Sequence, residues 1–189
     1  NPRVYAEGVL CDGYMEIRYL LEEALQKSRE TIAAVGQEFG ELFGRSYAKL
    51  LWEHRMQDAE IAIVATGSLA LEAVVAADAL RGQGMKVGVL GLRVFRPFPG
   101  RDIAEALRRC RLVVVFDKNV SYGNEGATCN EIKAALYGSG TNGAITNFIV
   151  GLGGRDVKAR DLADAVKRAL SSLDKGTLSG ECAQWICEI

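Results

Sequence analysis

Residues 61–95 read IAIVATGSLALEAVVAADALRGQGMKVGVLGLRVF. The first seven form an apolar run that stops at a glycine, too short for a helix and long enough for a buried strand. Residues 69–84 then carry a helical pattern, and a second Val/Leu-rich run fills 86–95. Neither run alternates between apolar and polar residues. Continuous apolar strands on either side of a helix are the pattern of a parallel sheet covered on both faces.

The same alternation continues downstream. Helices are predicted over 101–110, 126–138 and 159–173, and strands over 111–117 and 144–152. Right-handed crossovers join such units into a doubly wound, mostly parallel α/β domain. Upstream, Ile17, Leu21, Leu25, Ile32 and Val35 recur at helical spacing, with Glu22, Glu23, Lys27, Arg29 and Glu30 on other faces. Such a stripe needs a surface to lie on, so this helix is expected to be docked. Gly40 and Gly44 weaken its continuation through Phe39, Phe43 and Tyr47. The organisation expected is a helical connector over 1–57, the α/β domain over 58–173 and an irregular tail over 174–189.

Bulk properties narrow the function. A net charge of −1 over 189 residues gives no electrostatic case for nucleic acid. No apolar run approaches the length of a membrane span. The five cysteines, Cys11, Cys110, Cys129, Cys182 and Cys187, contain no C-x-x-C, so zinc-ribbon and ferredoxin-type patterns are missing. Reduced thiols and a cytoplasmic location are expected. The chain opens on Asn1 and its first methionine is Met15, which predicts that translation starts further upstream.

The candidate site residues all lie where strands are expected to end. Gly151-Leu152-Gly153-Gly154 is not a G-x-G-x-x-G fingerprint, because Asp156 holds the sixth position and the segment follows the last strand instead of the first. A structural turn is the favoured reading, with Arg155 and Asp156 paired to each other or anchoring a neighbouring chain. Gly67 and Ser68 follow the first strand, where free N–H groups can hold an anion, although Ser68 as an ordinary N-cap is favoured. In VFRPFPG, Pro97 and Pro99 stiffen the exit from a strand, and Arg96 and Phe98 are candidates for a subunit contact. Asp117 ends a strand in FDKNVSYGNEGA, and Gly123 and Gly126 bracket the start of a helix, so the three can line a crevice. His54 is the sole histidine and lies in the region read as helical, which argues against a Ser-His-Asp triad.

Taken in order, EFGELFGRSY, DAEIAIVATGS, LRGQGMKVGVLGLRVFRPFP, VVVFDKNVSYGNEGA and ITNFIVGLGGRDV resemble the C-terminal part of the α subunit of pyruvate:ferredoxin oxidoreductase and related 2-oxoacid:ferredoxin oxidoreductases. The likeness runs from about Tyr14 to about Leu173. It implies a transketolase C-terminal-like domain preceded by a connector from a thiamine-pyrimidine domain. It also implies a complex that uses thiamine diphosphate, Mg²⁺, iron–sulfur clusters and coenzyme A, with ferredoxin and other subunits or domains as partners. The Gly-Asp-Gly start of a thiamine diphosphate motif is missing here, and Cys11-Asp12-Gly13 is the nearest stretch. No family catalytic, cofactor-binding or metal-binding residue therefore transfers to a numbered position. The expected function is a non-catalytic assembly domain of such a complex. The alternative is a small-ligand or nucleotide-binding module using the strand ends at Gly67, Asp117 and Gly151.

Overall fold

A computed structural model describes residues 13–178 and 183–187. The chain divides into two compact units, Asn1–Leu50 and Leu51–Ile189.

The first unit is built on helix α1 (Tyr14–Phe43). It continues through Gly40 and stops at Gly44, whose left-handed backbone (φ 70°) lets its N–H donate to Gly40 O at 2.8 Å. The chain then folds back along the helix. Gly36 is the buried residue of α1, and a Cβ there would stand 2.5 Å from Ala48 Cα. Phe39 holds the return, with its ring 4.5 Å from Phe43, 5.5 Å from Tyr47 and 5.8 Å from the Arg45 guanidinium. Along the rest of the stripe Ile17, Leu25 and Ile32 are half-buried, and Leu21 and Val35 are exposed.

The second unit is a six-stranded sheet in the order β1-β3-β2-β4-β5-β6. The strands are β1 (Leu51–His54), β2 (Ile61–Thr66), β3 (Val87–Leu92), β4 (Leu112–Asp117), β5 (Ala144–Ile149) and β6 (Gln184–Trp185). Only β1 runs antiparallel. The helices are α2 (Gly67–Arg81), α3 (Gly100–Leu107), α4 (Ala127–Leu136) and α5 (Ala159–Asp174). Residue parity sorts the core into two layers. Ile61, Ile63, Leu112, Val114 and Phe116 face α2 and α5, whereas Ala62, Val64, Val113 and Val115 face α3 and α4. Ala70, Ala73, Ala76 and Ala77 give α2 a smooth inner face that sits close to the sheet. Strand order reverses between β2 and β4, whose carboxyl ends flank the switch point.

The doubly wound sheet is as expected, but its edges are not. Residues 51–54, expected within a helical connector, form β1, and the tail expected to be irregular contributes β6. The strands expected over 86–95 and 144–152 end earlier, at Leu92 and Ile149. Strands of four and two residues are too short to show a period, and each exists because a partner edge is available. Gly91 makes β1 possible. It is the register partner of Trp52, and a side chain at 91 would occupy the space of the Trp52 indole.

Ion pairs fasten this edge of the sheet. Asp58 meets Arg81 at 2.5 Å, Glu60 meets Lys86 at 2.7 Å, and His54 and Arg55 both meet Asp78 at 2.9 Å. His54 is thus a packing residue between β1 and α2. The hydrogen bonds from Arg81, Lys86 and His54 hold the carboxyls of Asp58, Glu60 and Asp78, in that order, below their ordinary values.

Gly91→Val is expected to cost about 3 kcal/mol, because the overpacked site can relax only by expelling Trp52. A urea midpoint unchanged from wild type would contradict this seating of the indole. A second expectation concerns pH. A carboxylate whose folded pKa lies below its unfolded value stabilises the fold above the unfolded pKa and loses that contribution as pH falls through the folded one. The urea midpoint should therefore drop as pH falls below about 4. Asp58→Asn should flatten that drop, and an identical pH profile in the variant would show that the pair contributes nothing.

Candidate functional site

The carboxyl ends of the strands hold most of the polar groups that sequence reading singled out. Asp117 ends β4 and is 1% exposed. A buried carboxylate must find donors or its ionised form is strongly disfavoured. Asp117 finds four. Thr128 N–H donates to Oδ1 and Cys129 N–H to Oδ2, each at 3.2 Å. Asn119 Nδ2 donates to Oδ1 at 3.1 Å and Asn147 Nδ2 to Oδ2 at 3.0 Å.

Together these residues cap α4. The first four N–H groups of a helix have no acceptor within it. Here Gly126 N–H donates to Asn147 Oδ1 at 2.8 Å, Ala127 N–H to Asn119 Oδ1 at 2.7 Å, and the next two to Asp117. The positive end of the helix dipole then falls on the Asp117 carboxylate. Gly126 is required by this arrangement, since a Cβ there would overlap the Asp117 carboxyl group. Asn147 also donates to Val115 O at 3.1 Å, which ties β5 to β4 from inside the sheet.

Asn147 and Asn119 were missed by sequence reading, because an Asn inside an apolar run or a loop carries no pattern that reports its partner. The reading of Asp117 and Gly126 as crevice lining is corrected. They touch each other, and the helix end they could have offered to an anion is filled by the chain itself. Gly123, with φ 82°, lies in the exposed loop before α4. Next to the cap, Glu125 is 3% exposed and pairs with Lys133 Nζ at 2.6 Å. The neighbouring Cys129 thiol is pushed far above its ordinary pKa by burial, with the Glu125 charge adding to the effect. Burial also raises Cys110, to about 11, so both thiols stay protonated.

The remaining candidates fall into three separate places. Gly67 opens α2 with φ 56°, and Ser68 is exposed within the first turn. Thr66, in extended geometry, is the N-cap residue, which corrects the assignment to Ser68. Arg96 pairs with Glu131 and lies 4.4 Å from the Phe95 ring and 5.8 Å from that of Phe98. Phe98 is half-buried against the α3/α4 layer, between buried Pro97 and Pro99. Gly151 (φ 64°) leads into a single 3-10 turn, Leu152–Gly154, with Gly153 and Gly154 also at positive φ. The chain turns sharply there, and Arg155 and Asp156 emerge from the turn exposed. Among the described residues no group of three His, Cys, Asp or Glu side chains could hold a metal ion. No described helix is long and apolar enough to cross a membrane.

The fold and this end of the sheet define a doubly wound α/β domain whose switch-point helix is capped by its own strand residues. A family model described as pyruvate:ferredoxin oxidoreductase core domain II matches residues 59–162, and the chain belongs to that family. Ketoisovalerate oxidoreductase subunit VorA of Pyrococcus horikoshii is 40% identical over 167 residues, 86% of this chain and 42% of the relative. Pyruvate synthase subunit PorA of Methanothermobacter thermautotrophicus is 43% identical over 157 residues, 83% of this chain and 40% of the relative. The chain thus spans about two-fifths of the length of these curated relatives. A solved 2-oxoglutarate:ferredoxin oxidoreductase from Magnetococcus marinus superposes with a TM-score of 0.48 and 17% identity, covering 65% of this chain and 20% of the other.

Asp117→Ala is expected to destabilise the α/β unit by about 3 kcal/mol, since it strips two helix N–H groups and two amide side chains of their acceptor. Asp117→Asn should cost less, because one carbonyl oxygen remains. Amide exchange at Thr128 and Cys129 should accelerate in the Ala variant. Protection retained at both would mean that the cap is not what holds this helix end.

Proposed function

We propose that the chain is the C-terminal part of a 2-oxoacid:ferredoxin oxidoreductase α subunit. The complex would oxidatively decarboxylate a 2-oxoacid, pyruvate first among the candidates, to the acyl-CoA and pass electrons to ferredoxin. The family match carries this reading, supported by relatives that are pyruvate synthase and ketoisovalerate oxidoreductase subunits. We assign this chain a structural role in assembly. Residues 1–50 serve as the connector and the sheet as a packing domain for other subunits, with Arg96, Phe98, Arg155 and Asp156 among the exposed or part-exposed groups available for contact. The cytoplasm is the compartment proposed, in keeping with Cys110, Cys129 and Cys187 as free thiols.

The described residues do not fit a thiamine diphosphate–Mg²⁺ site. The N-terminus of α4, one of the two helix starts that flank the strand switch point, has its Thr128 and Cys129 N–H groups taken by Asp117 and so offers none to a diphosphate. Decarboxylating a 2-oxoacid requires an electron sink that side chains supply poorly and thiamine supplies well. Thiamine diphosphate, iron–sulfur clusters and coenzyme A are accordingly placed on other parts of the complex. The same capping weakens the reading of a ligand site at Asp117.

The purified chain, given pyruvate, thiamine diphosphate, Mg²⁺, coenzyme A and an artificial electron acceptor, is expected to turn nothing over. Sustained acceptor reduction by a preparation free of other subunits would overturn the assignment of chemistry to the rest of the complex.

A further inference from the structure

A cavity of about 420 Å³ opens between the start of α5 and the edge strand β6. Arg155, Lys158, Arg160 and Arg168 line it, against the two carboxylates Asp156 and Asp161. Asp161 accepts the Lys158 N–H at 3.0 Å and meets the exposed Arg160 Nε at 3.6 Å, a solvent-screened pair that a phosphate can displace. Arg168 is steadied with its guanidinium 5.5 Å from the Phe148 ring. Trp185 completes the wall and is 48% exposed.

We propose that this cavity binds a nucleoside diphosphate. Arginine presents a planar fork of donors matched to phosphate oxygens, and several cations around one concavity favour a multiply charged anion. The half-exposed indole of Trp185 among the lining residues suits a flat heterocycle, for which stacking is worth about 1–3 kcal/mol. The volume lies in the range of small-molecule sites, roughly 300–1,000 Å³. Phosphate alone would use the arginines and leave Trp185 idle, whereas a nucleoside alone would use Trp185 and leave the basic side of the cavity idle. The site is distinct from the strand-end cap and needs no part of the reaction proposed above. Arg168, Trp185, Ile186 and Cys187 of its lining lie outside the stretch matched by the family model.

The test is a titration of the full chain with ADP, read by calorimetry and by tryptophan fluorescence, with adenosine and inorganic phosphate alongside. ADP should saturate one site, with adenosine and phosphate each about ten-fold weaker or more. The double variant Arg160→Ser/Arg168→Ser should weaken ADP by about ten-fold or more, and Trp185→Leu by about five-fold or more, with melting temperatures at the wild-type value. Absence of saturable ADP binding to the wild-type chain would overturn the proposal. ADP affinity untouched by the arginine pair would overturn it as well. Phosphate binding as tightly as ADP, with Trp185→Leu silent, would sink the nucleotide assignment.

Discussion

The carboxyl edge of the sheet depends on one buried carboxylate. Asp117 lies where β4, β5 and the start of α4 meet, and its carboxylate is held by backbone and amide donors. Burying a charge this way is workable only when nearly every lone pair is used. The requirement spreads outward. Gly126 must lack a side chain, Asn147 must interrupt an apolar strand, and Asn119 must turn back toward the strand end.

This constraint bears on function through what it removes. In open α/β folds the crevice at the strand switch point is the usual ligand site, often with an anion at a helix N-terminus. Here the protein supplies the anion itself. The N-terminus of α4 is thereby closed to an external anion. The curated relatives are more than twice the length of this chain.

Much was legible in the sequence. Continuous Val/Ile/Leu runs separated by amphipathic helices fixed the parallel core, because only strands buried on both faces tolerate such runs. The Gly151–Gly154 turn was legible too, since three glycines at a strand exit report their backbone freedom directly. What stayed hidden were the edges and the partners. Trp52 and Gly91 are far apart in sequence, and neither implies the other until β1 docks on β3. Asn147 sits among apolar residues with nothing to mark it as a capping residue.

The sequence by itself determined the class of fold, the order of strands and helices, and a family likeness strong enough to name. Those properties rest on periodicity and local motifs, which are carried by residues close together along the chain. Only the tertiary structure decided that Asp117 is a structural anion and that the two outermost strands exist. It alone gathered Arg155, Lys158, Arg160, Arg168 and Trp185 around one cavity. Each of these depends on the distance between residues remote in sequence, and a linear pattern contains no such distance.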